Sequence, residues 1–434
     1  MCQREQAPEE KRTMQSHDTV VILDYGAINA QMAAKAVRQL NIYCEVLPCT
    51  AGIDRIRKLN PRALILQRGK AAGERTLGRK AAVDPASLGV PVLDMQETEC
   101  TPQTLEAFLV GRCRLRQDWT IQRFIDETVV DLRARIGDRK VLLAMSGGVD
   151  SSVCAVLLHQ AIGRQLTCVF VDHGCMRQDE PRQVVEIFRD QFGINLIAVD
   201  AMSRFLARLA GVTDPEAKRK IIGEEFIRVF EEEARKLGEL DYFVQGTIYP
   251  DIIESGCEGG KPVKAHHNVG GLPERIAFKG IIEPVKYLFK DEVRQVGECL
   301  GIPDTITHRQ PFPGPGLAVR CLGELTREKL DILREADARF RKAMVDEGYA
   351  GQASQFFAVL TNVQSVGVAD DARTYGYVIA LRAVKTSDFM TAAAVPLPID
   401  FLIRVAGEIA TQVKGVNRVV YDITGKPPAT IEWE

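Results

Sequence analysis

Residues 142–153 read LLAMSGGVDSSV, a set of small polar residues between two apolar stretches. The letters before them, KVLLAM from Lys140, are typical of a buried parallel strand. The letters after them, VCAVLLHQAI, are typical of a helix that packs an apolar face against a sheet. The segment SGGVDSS therefore lies at the carboxyl end of a strand, where open α/β sheets bind their ligands.

The residue types in this turn favour an anionic ligand. Gly147 and Gly148 allow a tight bend and a close approach of the main chain to a ligand. Ser151, Ser152 and the first N–H groups of the helix face the site, where the helix dipole favours a phosphate. Asp150 would repel a phosphate unless Mg²⁺ lies between them, so Asp150 is the predicted metal ligand. A plain helix N-cap is the alternative, but a cap needs only one such residue.

Strand candidates recur on both sides of the turn. Before it, TVVILDYG, CEVLP, RALILQ and VPVLDM alternate with helical or loop segments, which indicates a parallel α/β unit. After it, LTCVFVDHG, INLIAVD and DYFVQGTIYP continue the pattern as far as QPFPGPGLAVR, a proline- and glycine-rich hinge. The strand candidates FFAVLTNV, YGYVIALRAV and VNRVVYDIT, with amphipathic helices at 327–347 and 399–414, then suggest an α+β unit. The predicted segments are a polar tail at 1–18 and units at 19–115, 116–315 and 316–434.

The composition argues against several classes of protein. The 434 residues are 46% hydrophobic and 26% charged, and the formal net charge of −2 carries no signature of nucleic-acid binding. The sequence holds no apolar run of the length that a membrane span needs. The 11 cysteines are scattered without a CxxC pair, which argues against a disulfide framework or a zinc site. A cytoplasmic location is expected.

The turn SGGVDSS resembles the pyrophosphate loop of the ATP pyrophosphatases, which cleave ATP to AMP and pyrophosphate to activate an oxygen atom. The resemblance implies a parallel-sheet domain of the adenine nucleotide α-hydrolase type and places Asp172, at the end of VFVD, against the nucleoside. The expected ATP-binding residues are Ser146, Gly147, Gly148, Val149, Asp150, Ser151, Ser152 and Asp172, with Mg²⁺ at Asp150.

Six further motifs resemble GMP synthetase and follow that family's order over roughly residues 116–434. They are DPEAKRKIIGEEF (214–226), QGTIYPDIIES (245–255), KAHHNVGGLPE (264–274), EPVKYLFKDEVR (283–294), PFPGPGL (311–317) and YDITGKPPATIEWE (421–434). In this family, O2 of XMP attacks the α-phosphorus of ATP, which gives adenylyl-XMP and pyrophosphate. Ammonia then displaces AMP to leave GMP. The substrates implied are ATP, XMP and ammonia.

The resemblance also implies roles for individual residues. The expected catalytic residues are Asp251, Glu254, Lys264, His266, His267, Lys290 and Asp291. The expected XMP-binding residues are Arg219, Arg309, Pro313, Gly314, Gln355, Arg373, Lys426 and Glu432. Residues 316–434 are expected to complete the XMP pocket and to form the interface of a homodimer.

These assignments have simpler alternatives. Lys264 suits solvated charge, and one of the adjacent histidines suits a structural role. The carboxylates at 251 and 254 suit a helix start, and Lys290 with Asp291 suits a helix N-terminal charge pair.

The segment from Thr19 resembles the opening of a class I glutamine amidotransferase, a flavodoxin-like α/β fold. The catalytic motifs of that family are missing from this segment. VPVLDMQETE has neither Cys nor Gly where the family has its nucleophile elbow, and QRGK (67–70) replaces the oxyanion segment. His17 is the only histidine before residue 150, and it precedes the first strand. We therefore expect no glutamine hydrolysis, and ammonia either free or from a separate glutaminase subunit that covers an exposed half-sheet. A scaffold or allosteric role for this remnant is the alternative.

Two other functions fit parts of the sequence. One is a catalytically silent paralogue that binds nucleotides or a partner. The other is a different ATP pyrophosphatase, such as an NAD synthetase or a tRNA-thiolating enzyme. The chain departs from the GMP synthetase pattern at Gln310, usually His, and at HGCM (173–176), usually NGLL.

Overall fold

The computed structural model describes residues 16–26, 30–68, 82–95, 101–256, 278–369, 372–386 and 390–434. Their strands form three sheets, and the strands of the first two sheets are all parallel. The helices named below lie within these described ranges. None of the helices in the described ranges is both long enough and apolar enough to cross a membrane.

The first sheet has the strand order β2-β1-β3-β4, which is the beginning of a flavodoxin-like order. Its elements are β1 (Thr19–Asp24), α1 (Ala30–Gln39), β2 (Tyr43–Pro48), α2 (Ile53–Lys58), β3 (Pro61–Gln67), β4 (Val92–Asp94) and α3 (Pro102–Glu106). The unbroken apolar run of β1 is buried because separate hydrophobic clusters cover the two faces of the sheet. The edge strand β4 is only half-buried, and the expectation of an exposed half-sheet stays a prediction.

The residues around the first sheet also tie it to the rest of the chain. His17 is buried, and its two ring nitrogens lie 2.8 Å from Asp118 and 3.0 Å from Glu127. Residues 16–18 of the predicted polar tail are therefore packed against the connector at 116–120 and against α4 (Ile121–Ile136), which contains Glu127.

The second sheet contains the predicted nucleotide turn, and its strand order is β7-β6-β5-β8-β9. Its strands are β5 (Val141–Met145), β6 (Leu166–Asp172), β7 (Leu196–Asp200), β8 (Tyr242–Val244) and β9 (Gly280–Ile282). Its helices are α5 (Val149–Ile162), α6 (Glu180–Val185), α7 (Met202–Leu209), α8 (Pro215–Lys236), α9 (Tyr249–Gly256), α10 (Lys290–Cys299) and α11 (Asp304–Thr307). The apolar helix α5 is buried almost all round because it lies between the sheet and α4 and α10.

The third sheet is mixed. A long antiparallel pair, β10 (Gln355–Ala369) and β11 (Ala372–Lys385), is joined by β12 (Ala393–Ala394) and by β13 (Val416–Tyr421), which runs parallel to β11. Helices α12 (Arg327–Asp346) and α13 (Ile399–Gln412) pack on this sheet, as the sequence predicts.

One hydrophobic core joins the second and third sheets, since Val169 and Leu142 belong to the same buried cluster as Leu317 and Ile379. The predicted α/β, α/β and α+β classes are confirmed. The boundaries at 18, 115 and 315 stay predictions.

Candidate active site

The turn between β5 and α5 has the geometry of a phosphate-binding loop. Gly147 has φ +73°, and a Cβ atom there would lie 3.0 Å from Val184 Cγ2, so only glycine fits without strain. Gly148 caps α5 in an extended conformation, and Ser151 donates from its hydroxyl to the Gly148 carbonyl at 3.0 Å. The hydroxyl of Ser146 lies 3.2 Å from that of Ser151. The N-terminus of a 14-residue helix thus opens beside a glycine-bent main chain.

The strand order places this turn at a topological switch point. The chain continues from β5 to β6 on one side of the sheet, and β8 lies on the other side. The crevice beyond the carboxyl ends of β5 and β8 is where such sheets bind ligands. Gly246, just after β8, lies so close that its Cβ atom would be 3.2 Å from Asp150 Cβ. Thr247 donates from its hydroxyl to Glu283 Oε1 at 2.6 Å, which joins the segments after β8 and β9.

A lysine from a distant part of the chain contacts Asp150, the predicted metal ligand. Lys290 Nζ, at the first residue of α10, lies 2.8 Å and 2.7 Å from the two carboxylate oxygens of Asp150. The Lys290 side chain is 39% exposed and the Asp150 side chain is 28% exposed, so the pair is accessible to solvent beside the turn. The positive charge therefore lies where the sequence predicts a pyrophosphate.

The donor set fits Mg²⁺ held by substrate rather than by a protein cage. Among the described residues no group of three or more His, Cys, Asp or Glu could hold a metal ion. Mg²⁺ commonly uses one or two carboxylates together with substrate phosphates, and Asp150 beside the phosphate turn supplies such a carboxylate.

The segment after β6 is held rigidly next to the turn. Asp172 Oδ1 accepts from the Gly174 N–H at 2.9 Å, and His173 Nδ1 accepts from the Cys175 N–H at 3.0 Å. Burial lowers the pKa of His173 below its usual value, so the ring is neutral. Arg334 donates to the carbonyls of Gly174 and, at 3.0 Å, of Met176. The Asp172 carboxylate is thus held at the carboxyl edge of the sheet, beside the strand that leads into the turn.

The proline-rich motif packs directly on this segment. Gly316 has φ +64°, and the Leu317 N–H donates to the Cys175 carbonyl at 2.7 Å. Pro313 and Gly314 lie in the same turn, and the His173 ring makes a hydrogen bond with the Gly314 main chain.

Three arginines surround the ring of Phe312 in the same motif. Their guanidinium carbons lie 4.2 Å (Arg177), 5.1 Å (Arg320) and 5.8 Å (Arg309) from the ring centre. Burial lowers the pKa of Arg177 to about 10, although Asp337 opposes the shift. Arg309 Nη1 is buried without a hydrogen-bond partner in the described structure and would lie 3.8 Å from a Cβ atom at Gly147. Its ion-pair partner is Glu180, whose Oε1 lies 3.6 Å from Nη1, so the guanidinium lies between Glu180 and the phosphate turn.

The end of the chain docks on α8 near the same motif. Lys218 is fully buried and donates to Glu434 Oε2 at 2.5 Å and to the Cys321 carbonyl at 2.9 Å. Arg219 donates to the Glu434 main-chain oxygen at 2.6 Å. Sequence reasoning did not single out Lys218, whose only signal is its place in the KRK letters of the 214–226 motif.

A second contact of the end of the chain joins Glu432, a predicted XMP-binding residue, to Arg320. Glu432 accepts two hydrogen bonds from the Arg320 guanidinium, at 2.7 Å and 2.9 Å. Sequence reasoning also missed Arg320, although it lies only three residues beyond PFPGPGL.

The remaining predicted residues are distributed more widely. Gln355 is buried at the start of β10, Arg373 is exposed near the tip of the β10–β11 hairpin, and the Lys426 main chain pairs with Ala392. Asp251 lies in the first turn of α9, where its Oδ2 accepts from the Ile248 N–H at 3.2 Å. The structure does not bring Asp291 to the nucleotide turn.

Asp291 instead pairs with Lys35 of the first unit, and the two charged groups are 2.7 Å apart. Lys264, His266 and His267, together with the side chain of Glu254, lie outside the described residues.

The all-parallel switch-point sheet and its glycine turn define a nucleotide-binding domain of the HUP, ATP pyrophosphatase class. Two family models match the chain. Residues 139–209 match "tRNA methyl transferase HUP domain", and residues 342–433 match "GMP synthase C terminal domain". The chain belongs to the GMP synthase family, whose members are ATP-using ligases.

Curated relatives carry the same family name. The GMP synthase [glutamine-hydrolyzing] of Acetivibrio thermocellus is 45% identical over 513 aligned positions, which cover 96% of this chain and 100% of the relative. That of Ruminiclostridium cellulolyticum is 44% identical over 510 positions, with 96% and 100% covered. That of Heliobacterium modesticaldum is 45% identical over 513 positions, with 96% and 99% covered.

These alignments are longer than the 434 residues of the chain. The relatives therefore carry residues within the aligned span that this chain lacks. Among solved structures, NMN synthetase from Francisella tularensis is 15% identical and covers 50% of this chain and 87% of its own, with a TM-score of 0.36. That structural likeness is too slight to add to the fold argument.

Proposed function

We propose that this chain is an ammonia-using GMP synthase. ATP activates O2 of XMP as adenylyl-XMP with release of pyrophosphate, and ammonia then displaces AMP to give GMP. The observation that carries the proposal is the meeting of Gly147, Asp150 and Lys290 at one corner of the second sheet. A phosphate-binding main chain, a carboxylate for Mg²⁺ and a partly exposed cation are the groups that pyrophosphate departure needs.

The first step draws on residues of the turn. The N–H groups at the start of α5 bind pyrophosphate oxygens, and Asp150 would hold Mg²⁺ together with those oxygens. When bound, this ion neutralises charge on the leaving group. Lys290 then exchanges its contact with Asp150 for the same oxygens. Arg309, which is ion-paired with Glu180 but makes no hydrogen bond through Nη1, adds a second donor. Asp172 receives the nucleoside.

XMP is proposed to bind beside this corner, between α8 and the end of the chain. Arg219 and Lys426 would meet the phosphate dianion, and Glu432 would accept purine N–H groups. The contacts of Arg219 with Glu434 and of Glu432 with Arg320 support this location, because they bring charged groups of α8 and of the PFPGPGL region together with the segment after β13. Gln355, Arg373, Pro313 and Gly314 keep their proposed XMP roles, as do Asp251, Glu254, Lys264, His266 and His267 in the catalytic set.

Ammonia is proposed to come from solution or from a separate glutaminase subunit. In support, β4 ends at Asp94, which pairs with Arg68 at 3.3 Å, where a nucleophile elbow would otherwise stand. Burial raises the pKa of Cys44 to about 11, which keeps it a thiol. His17 precedes β1 and so lies at the amino edge of the parallel sheet, opposite the edge where such an elbow forms.

A homodimer through the third unit and a cytoplasmic location belong to the same proposal. Exposed apolar side chains on α13, in β13 and just after β13 support a covered surface there: Ile399, Ile403, Val420 and Ile423.

One assay tests the proposed reaction. The full chain is incubated with ATP, Mg²⁺ and XMP, and either ammonium or glutamine is added while AMP and GMP are measured. GMP with ammonium but not with glutamine is the expected result. Equal GMP from glutamine alone refutes the missing glutaminase site. Absence of AMP in both tubes refutes the synthase and favours the silent paralogue, and AMP only with another acceptor favours a different ATP pyrophosphatase.

A further inference from the structure

The first unit contacts the synthetase through a buried arginine at the end of α1. Arg38 is 6% exposed, and its Cζ lies 4.5 Å from the ring centres of both Tyr43 and Trp119. Its guanidinium donates to Cys44 O at 2.9 Å within its own unit and to Tyr287 O at 3.3 Å across the boundary. A charge buried this deeply requires partners, and one of them is a carboxylate of α10.

That carboxylate, Glu292, connects the first unit to the start of α10. Its Oε1 accepts from Arg38 Nη1 at 3.2 Å and from the Trp119 indole N–H at 2.8 Å. Its Oε2 accepts from the Phe289 N–H at 2.8 Å, which caps the helix. The residue after Phe289 is Lys290, whose ammonium group contacts the Asp150 carboxylate. Arg38 is thus linked to the nucleotide turn through contiguous polar contacts.

Two further contacts join the first unit to the elements beside the turn. The Val46 N–H of β2 donates to the Tyr249 hydroxyl at 2.6 Å, and Tyr249 is the first residue of α9. Lys35 pairs with Asp291 at the start of α10, but both side chains are well exposed, so this pair contributes little. The first unit therefore contacts the first turns of both α9 and α10.

We propose that the first unit serves as a positioning module for the ATP site, with Arg38 as its principal positioning residue. Arg38 holds Glu292, Glu292 fixes the first turn of α10, and that turn keeps Lys290 directed at Asp150 and its nucleotide. Tyr249 holds the first turn of α9 in the same way. The inference rests on the ATP-binding part of the proposed function and gives a reason for keeping a unit that has no glutaminase chemistry.

The test compares Arg38→Met and Arg38→Lys with the wild-type full chain. Arg62→Met is the matched control, because Arg62 is an exposed arginine of the same unit paired with Asp18. Calorimetry measures the binding of a non-hydrolysable ATP analogue with Mg²⁺, and steady-state assays measure KM for ATP and for XMP. Hydrogen exchange follows residues 249–256 and 289–299.

We expect Arg38→Met to weaken analogue binding about tenfold, within the ~2- to 30-fold range of couplings carried by packed networks. KM for ATP rises in parallel, KM for XMP stays unchanged, and exchange increases in both segments. Arg38→Lys restores part of the affinity, and Arg62→Met behaves as wild type. A purely structural role would lower kcat through a smaller folded fraction and leave KM for ATP unchanged, and that outcome refutes the proposal.

Tyr249→Phe decides the matter if Arg38→Met does not fold, since it removes a single hydroxyl. Weaker analogue binding with faster exchange in residues 249–256 supports the proposal, and wild-type values overturn it. Binding of the ATP analogue needs no XMP, so it can be measured even if the protein makes no GMP. If Arg38→Met weakens analogue binding in such a protein, this inference holds and only the synthase assignment fails. No analogue binding by the wild type overturns both.

Discussion

Replacing Gly316 with alanine gives the sharpest test of how the proline-rich motif is held. Gly316 has φ +64°, which costs an L-residue about 1–2 kcal/mol. The new Cβ atom would lie 2.2 Å from Cys175 O, a main-chain atom that cannot rotate away. Relieving such overpacking typically costs ~1–3 kcal/mol. The 2.7 Å hydrogen bond from the Leu317 N–H to the same oxygen, worth about 0.5–1.5 kcal/mol, is lost as the segments separate.

We therefore expect Gly316→Ala to lower the free energy of unfolding by about 2.5–6.5 kcal/mol. Gly348→Ala is the matched control, because Gly348 has φ +76° but open space where its Cβ atom would be, so only the ~1–2 kcal/mol conformational cost applies. Urea unfolding, followed by circular dichroism and tryptophan fluorescence, measures both variants. Equal destabilisation of the two variants would contradict the close contact between Gly316 and Cys175, and with it the packing of PFPGPGL on the segment after β6.

The remaining predictions concern charge. Asp150→Asn removes the carboxylate that contacts Lys290 and that we propose to hold Mg²⁺, so GMP formation should fall about 10²- to 10³-fold or more. Asp138→Asn on the exposed surface should keep wild-type rates. Near-normal turnover of Asp150→Asn would remove the basis of the proposed site. Burial lowers the folded-state pKa of His173 below its usual value of about 6.5. As pH falls, the unfolded chain therefore takes up a proton at this histidine before the folded protein does. The contribution of His173 to stability is lost from about pH 6.5 downward to the folded pKa. His173→Asn should therefore unfold with a shallower acid dependence than wild type in urea titrations between about pH 7.5 and 5.5, and identical slopes would show that the ring is not held neutral.

Much of the architecture follows from local patterns in the chain. The apolar runs at β1, β5 and β6 are each buried on both faces, and helices α12 and α13 begin at 327 and 399 as their amphipathic spacing predicts. The strand-to-helix turn at Gly147 was also readable, because two adjacent glycines between two apolar runs are typical of such a corner, and Gly147 does have a positive φ. The packing of His17 against the connector was not readable, since a single histidine in a polar stretch carries no signal of burial.

The identities of the long-range partners depended on the tertiary structure. Lys290 meets Asp150 across 140 residues, and Arg38 meets Glu292 across 254. Asp291 lies directly beside Lys290 in the chain, yet it faces Lys35 of the first unit because consecutive residues at a helix start point in different directions. Apolar periodicity specifies which residues form strands and helices, because it depends only on near neighbours. Which charged side chains meet depends on strand order and on the docking of whole units, and no local pattern encodes either.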